Sequence, residues 1–361
     1  MNLHRYLCQA LLALLALYTK NVYSEKPYCS LNKSAEGQWV NETYPFARSF
    51  ARSANLDVWN RERFPWQQKY YSCYFTDGNQ VHGRGFDTEN RRFVPSTCSY
   101  RQFSPSKFLE LMRGRTLLIC CDSLSYQMAV NLAGSLHSAT TVDYDKKEHF
   151  IYYPEYNFTL VNAYTNKYPI NNKPHARNTL AEYQDFGNLR PNYDVMVINF
   201  GLHFNIGGMH KLAPLLRAIA EEYIRDKDKL PFVLWKETTP QHYDNQDNHP
   251  AGYYSKEQDP MKECKPYANL NAARAADVRV TLPIEILLPA GIPIMYVYNA
   301  TRTEWWAHVG KSKAWTDCIH FCDVAGVHMF MREILYNHLV ETLSSLRVAR
   351  LALLLYLGIQ R

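Results

Sequence analysis

Three residues of this sequence have the types and spacing for acyl transfer: Ser123, Asp317 and His320. A serine hydroxyl is a weak nucleophile at neutral pH and needs a base to take its proton. Histidine is the side chain whose ordinary pKa suits that task. Its ring must be held in one tautomer, which a carboxylate on the other ring nitrogen achieves. Asp317-Cys-Ile-His320 supplies both groups, because an Asp three residues before a His can fold back to it across a tight turn. Asp122-Ser123 follows one apolar run and opens a helical pattern. A serine there belongs to a helix N-terminus, where backbone N–H groups favour developing negative charge. A third group, Asn199-Phe-Gly201-Leu-His203, offers an Asn amide and a glycine N–H as oxyanion donors. Each motif also has a plainer reading. Asp or Ser before a helix is an ordinary N-cap, and locally that is the better reading of Asp122-Ser123. Asp317 can cap the last helix with His320 on the surface, and Asn with Gly commonly closes a strand.

The elements that must position these residues alternate in period. Arg115 to Cys121 reads as a buried strand and Leu124 to Leu136 as a helix. Tyr193 to Phe200 is a second strand, Leu212 to Ile224 a helix, Phe232 to Trp235 a third strand and Ile292 to Tyr298 a fourth. Val327 to Leu343 closes the series as a helix. Strands alternating with helices predict a mostly parallel sheet covered on both faces. In such sheets, sites form at the carboxyl ends of the strands, where all three motifs fall. Residues 25–113 carry turn-formers and scattered aromatics such as Trp39, Trp59 and Trp66, and read as an irregular, disulfide-tied segment packed on the domain of residues 114–345.

Composition narrows the class. Hydrophobic residues make up 47% and charged residues 20% of 361, a globular balance. The net charge of +6 is scattered, with no basic stripe, so no nucleic-acid partner is expected. Aromatic content of 14% suits either sugar stacking or an aromatic core, the core being the plainer reading. An apolar run from Leu7 to Tyr18 follows His4 and Arg5. It is shorter than the roughly 20 residues of a spanning helix and fits a signal peptide within residues 1–24, with a signal anchor and membrane association as the second reading. The apolar tail of residues 346–361 reads as a packed or interfacial helix.

Two further features agree on a secretory compartment. Sequons stand at Asn32, Asn41, Asn157 and Asn299. Of nine cysteines, Cys8 lies in the leader, and Cys120 and Cys121 read as buried small hydrophobes in a strand. The even remainder, Cys29, Cys73, Cys98, Cys264, Cys318 and Cys322, reads as disulfides whose pairing spacing alone leaves open. Cys318 and Cys322 with His320 between them could instead be zinc ligands, but zinc ordinarily needs a second compact pair, so no metal is expected.

These blocks together resemble the trichome birefringence-like proteins of plants and their relatives, the PC-esterase group of SGNH (GDSL-type) hydrolases. Arg113 to Gln127 is similar to the family's strand, Gly-Asp-Ser motif and following helix, and Asp317-Cys-Ile-His-Phe-Cys322 to its Asp-Cys-x-His-x-Cys block. Cys29 with Gly37-Gln-Trp-Val40, Glu155 to Thr159, and Glu237-Thr-Thr-Pro-Gln-His242 also look like family blocks, so the resemblance runs nearly the whole length after the leader. It implies an SGNH-like α/β fold, with Ser123 acylated, His320 as base and acid, and Asp317 orienting it. It implies the pairs Cys29–Cys98, Cys73–Cys322 and Cys264–Cys318. Family members mainly move O-acetyl groups on polysaccharides in the Golgi. The expected function is therefore a glycan O-acetyltransferase of the Golgi lumen or membrane, or a secreted one. It would bind no resident cofactor and draw on a donor such as acetyl-CoA or an acetylated intermediate. A carbohydrate acetylesterase and a weakly catalytic glycan-binding homologue are the alternatives. The chain departs from the plant pattern: Cys121 stands in the motif's glycine position, Tyr126 near a usual Arg, Leu202 between Gly201 and His203, and a further cysteine pair is absent. It resembles a divergent member, and plant xylan or pectin does not carry over as substrate.

Overall fold

The computed structural model describes residues 26–33, 35–42, 73, 75–77, 80–82, 91–137, 139–140, 143–145, 150–163, 193–204, 210–243, 264–311, 316–322 and 326–359. The leader expected in residues 1–24, including Cys8, lies outside them, as do Trp59 and Trp66.

The central sheet is built on β5 (Thr116–Cys120), β8 (Phe158–Ala163), β9 (Val195–Ile198), β10 (Phe232–Lys236) and β11 (Ile294–Met295). These pair in parallel, and β7 (Phe150–Tyr153) and β6 (Asp143–Asp145) extend one edge antiparallel. The order is β11-β10-β9-β5-β8-β7-β6. Side chains alternate across the strands, and each face meets its own apolar layer. Leu117, Ile119, Val195, Val197 and Leu234 join one core with helices α1 (Pro105–Leu111), α2 (Ser123–His137) and α7 (Gly326–Ile359). Leu118, Cys120, Met196, Ile198, Val233 and Trp235 join the other with α3 (Leu212–Asp226) and a helix at Val278–Leu287. The strands therefore read as unbroken apolar runs, as doubly covered parallel strands must. The fold class is α/β with a mostly parallel sheet, as the alternation of periods indicated.

Three local differences from the sequence reading have clear causes. The helix α1 lies inside the segment expected to be irregular; Pro105 at its first turn is suited to helix entry, and Phe108 and Leu109 are buried on one side. The fourth parallel strand is cut to Ile294–Met295, because a short helix, Tyr298–Thr301, takes over the chain where Glu237 accepts hydrogen bonds from the amides of Val297 and Tyr298. The apolar tail is not a separate element: α7 runs on to Ile359. Among the described residues, no helix is long and apolar enough to cross a membrane.

The N-terminal segment shares the first core rather than forming its own. β1 (Gly37–Val40) pairs antiparallel with β4 (Arg92–Pro95), and Trp39 and Phe93 meet Phe330 of α7 edge-on or tilted. Trp39 Nε1 also donates to Ala300 O. Many described aromatic rings, including fully buried Trp235, Tyr153 and Tyr298, belong to the interior, which favours the plainer reading of the aromatic content.

The disulfides Cys29–Cys98, Cys73–Cys322 and Cys264–Cys318 are all formed. A fourth joins Cys120 to Cys121. This corrects the reading of these two as free small hydrophobes; both are buried, but as one bridged pair at the end of β5.

Of the sequons, Asn32, Asn41 and Asn157 are exposed. Asn299 is a correction. It sits in the helix at Tyr298–Thr301, its Oδ1 is buried, and Thr301 is fully buried with its hydroxyl donating to Val297 O. In the folded protein the Thr301 hydroxyl of this sequon is out of reach of a glycosylating enzyme, while Asn299 itself is half-buried.

Candidate active site

The sheet order turns at β5, whose neighbours β9 and β8 lead the chain to opposite sides. The crevice beyond such a strand's carboxyl end is where open α/β sheets hold their sites. Ser123 lies there, as the first residue of α2. Its neighbour performs the cap: Asp122 is fully buried, its Oδ1 accepts from Ser125 N at 2.7 Å, and its carbonyl accepts from Tyr126 N. The N-cap reading and the nucleophile reading thus divide between adjacent residues. With Asp122 capping, the Ser123 hydroxyl turns elsewhere, and the Ser123 amide, in the first turn, has no intrahelical acceptor.

That hydroxyl lies 2.6 Å from His320 Nε2, and His320 Nδ1 lies 2.7 Å from Asp317 Oδ2. Asp317 and His320 sit on β13 (Thr316–Phe321), paired antiparallel with β12 (His308–Lys311). The register explains the Asp-x-x-His spacing. Gly310 faces Asp317, but His308 faces Phe321, so β13 carries surplus residues and bulges between them. Gly310 adopts φ +74, which a residue with a Cβ would resist. Inside the bulge, Asp317 Oδ1 accepts from the amides of Ile319 and His320, both at 2.9 Å. One carboxylate oxygen therefore shapes the backbone and the other holds the ring.

The bulge is fastened from several sides. Cys318 is bonded to Cys264 and Cys322 to Cys73. Both sulfurs are thus committed to disulfides, which removes the zinc alternative. Gln127 of α2 donates to Phe321 O at 2.8 Å, tying the serine's helix to the histidine's strand. Asp317 is fully buried, and His320 is 8% exposed, enough to leave its outer edge at the surface. The surroundings are strongly desolvated: burial pulls the His328 imidazole down to about 3 and lowers the Lys236 ammonium, against the attraction of Asp122 and Glu237.

The Asn199-Phe-Gly201 group does not serve as expected. The Asn199 amide donates to the carbonyl of Lys236 and to Thr238 Oγ1, and its Oδ1 accepts from Gly201 N at 2.8 Å. Both supposed oxyanion donors are thus occupied: the Asn199 amide ties the end of β9 to the end of β10, and the Gly201 amide is taken by Asn199 itself. Glycine is needed at 201 because a Cβ there would run into Thr238. Among the described residues, the amides at the N-terminus of α2, the Ser123 amide foremost, stand where an oxyanion donor is needed.

The glycine position of the nucleophile motif is held by Cys121 without strain in φ. Positive φ among described non-glycine residues occurs at Cys73 and Asn157, not at Cys121.

Residues 101–214 match the family model of PC-Esterase, a GDSL/SGNH-like acyl-esterase family found in Pmr5 and Cas1p. Residues 101–214 are thus similar to a PC-esterase domain. The match includes Ser123 and Asn199 and ends before Asp317 and His320, so it and the geometry are independent observations. Among curated proteins none matches the chain. A PC-esterase domain carries acyl-hydrolase or acyl-transfer chemistry in general, and a hydrogen-bonded Ser–His–Asp chain is an arrangement able to perform it.

Residues that sequence reasoning missed lie behind the Ser123–His320–Asp317 site. His308 and His242 are fully buried and reach the backbone of His320. His242 ends a block singled out by resemblance, but His308 stands alone in the sequence with no spacing to mark it.

Proposed function

We propose that this protein is a glycan O-acetyltransferase acting through an acylated Ser123. The observation that carries the reading is the continuous contact of Asp317, His320 and Ser123 at the carboxyl end of β5. In the first half-reaction Ser123 Oγ attacks the donor's acetyl carbon while His320 Nε2 takes the hydroxyl proton. The tetrahedral oxyanion rests against the amides at the start of α2. Its collapse expels the donor's leaving group, which receives that proton from His320. In the second half-reaction a sugar hydroxyl gives its proton to His320 and attacks the acetyl carbon. The acetyl–oxygen bond to Ser123 breaks and Ser123 regains a proton. Asp317 stabilises the imidazolium in both halves without itself taking the proton.

The glycan acceptor rests on the resemblance to the PC-esterase group, and the Golgi or secreted setting on two supports. The disulfides are those of an oxidising compartment, and Asn32, Asn41 and Asn157 present exposed sequons. An acetylesterase would run the same first half and differ only in water as acceptor.

The test is labelling of the full chain with a fluorophosphonate probe, followed by transfer assays with an acetyl donor and oligosaccharides. Labelling at Ser123 in the wild type and not in Ser123→Ala is expected, with acetyl groups appearing on the sugar. Absence of labelling would overturn the nucleophile. Labelling with acetate release and no transfer would replace the transferase by the esterase.

A further inference from the structure

Two histidines outside the Ser–His–Asp chain form a second hydrogen-bonded chain that ends on its base. His308 Nδ1 lies 3.1 Å from the carbonyl oxygen of His320. His308 Nε2 lies 2.6 Å from His242 Nδ1, and His242 Nε2 lies 3.0 Å from the carbonyl oxygen of Arg302. Both rings are fully buried. His308 stacks on Phe321 at 4.2 Å and His242 tilts against Tyr267 at 4.7 Å, so neither ring can swing without disturbing an aromatic neighbour. The backbone repeats the connection: His242 N donates to Cys318 O, and Cys322 N donates to Ala307 O.

The proton on His308 decides its contact with His320. A carbonyl oxygen only accepts, so the contact to His320 O requires a proton on His308 Nδ1. His242 Nδ1 lies against the other ring nitrogen of His308, so the two rings hold each other in place between the carbonyls of His320 and Arg302. The reverse tautomer of His308 would set a lone pair against the His320 carbonyl and push on the bulge that aims the base.

We propose that His308 and His242 are positioning residues for the acyl-transfer reaction: His308 holds the backbone of His320, and His242 holds the ring of His308 in place. The inference rests on the proposed role of His320 as the base for Ser123. Neither histidine touches the reacting atoms. Their effect is on how often His320 Nε2 stands in line with the Ser123 hydroxyl. A misplacement of about 1 Å at such a contact costs on the order of 100-fold in rate.

The experiment measures the limiting rate and the half-saturating concentration for fluorophosphonate labelling of Ser123 in the full chain. The variants are His308→Leu, His308→Asn, His242→Phe and the combination of His308→Asn with His242→Phe, with thermal melting to check folding. Asn places an amide N–H near the Nδ1 position and has no ring for His242 to hold. His308→Leu is expected to lower the limiting rate roughly 10- to 100-fold with half-saturation unchanged. His308→Asn is expected to stay within about 5-fold of wild type, the loss expected when the bond is kept in altered geometry. His242→Phe should slow the wild type clearly but add little on top of His308→Asn, the non-additivity of two residues acting through one contact. A folded His308→Leu labelling at the wild-type rate overturns the proposal, as does His308→Asn labelling as slowly as His308→Leu. If His308→Leu does not fold, the cycle decides: equal losses from His242→Phe with and without His308→Asn overturn it. Failure of the wild type itself to label at Ser123 would overturn the underlying function, and the positioning role with it. Labelled wild type with indifferent variants sinks the positioning role alone.

Discussion

His320 Nε2 lies 2.6 Å from Ser123 Oγ across 197 residues of sequence, while the other nitrogen of the same ring lies 2.7 Å from Asp317, three residues away. One contact is a local turn and the other depends on the whole fold. The ring is the joint between them, so its tautomer is what chemistry at this site depends on.

Asp317→Asn tests that tautomer. The Asn oxygen can still accept from the Ile319 and His320 amides, so the bulge is kept. Its NH2 group would face His320 Nδ1 and favour a proton on Nε2, which then cannot take the serine proton. Acyl-transfer turnover is expected to fall on the order of 1,000- to 10,000-fold, as for the wrong tautomer in other serine triads, with the fold retained. Steady-state kinetics beside circular dichroism checks both parts. A loss of under about 10-fold would mean that Asp317 serves the backbone alone.

Cysteine pairing gives a count. The sequence has nine cysteines, and Cys29–Cys98, Cys73–Cys322, Cys120–Cys121 and Cys264–Cys318 are bridged. Alkylation of the denatured, unreduced chain should therefore modify Cys8 at most, whereas prior reduction should expose every cysteine. Mass spectrometry reads the difference. Alkylated Cys120 and Cys121 in the unreduced sample would remove the bridge beside the nucleophile.

Glu333 predicts a pH-dependent stability. Burial on α7 raises its carboxyl to about 7, against the opposing pull of Arg92, Arg332 and the Phe103 amide. The unfolded chain releases that proton near 4.5. The folded state therefore holds the proton more tightly. Its contribution is fully present below about 4.5 and is lost as pH rises through about 7. Glu333→Gln should flatten this slope and stabilise the protein at pH 8 by up to about 3 kcal/mol, as a shift of this size converts. Denaturant melts across the pH range measure it. A variant no more stable than wild type at pH 8 would contradict the buried, proton-holding carboxyl.

Glycan occupancy separates the sequons. In a secretory host, Asn32, Asn41 and Asn157 can carry glycans on the folded protein, and Asn299 cannot. Peptide mapping after enzymatic deglycosylation in heavy-oxygen water should show conversion at some or all of the first three and none at Asn299. An occupied Asn299 on folded protein would require the helix at Tyr298–Thr301 to open.

The alternation of strand and helix periods was enough to establish the α/β class, because doubly covered strands must be apolar throughout and their helices amphipathic. The Asp317–His320 contact was equally legible, since three residues suffice to close it. Other features depended on neighbours far along the chain. Asn199 and Gly201 have the residue types of oxyanion donors, but Thr238 and the Lys236 carbonyl, at the end of the next strand, take up the Asn199 amide, and the Asn199 oxygen so placed takes up the Gly201 amide. Asn299 carries a correct sequon, yet Glu237 accepts from the start of a helix that buries the sequon's Thr301. Cys120 and Cys121 look like strand residues and are a bridged pair. His308 had no local signal, because its meaning lies in two partners, His242 and the His320 carbonyl, that only the paired strands and the Cys264–Cys318 bond bring to it. The sequence by itself determined which residues could carry a proton from Ser123. The tertiary structure decided which donors and positioning groups surround them, because a hydrogen bond belongs to two residues and one sequence position states only one of them.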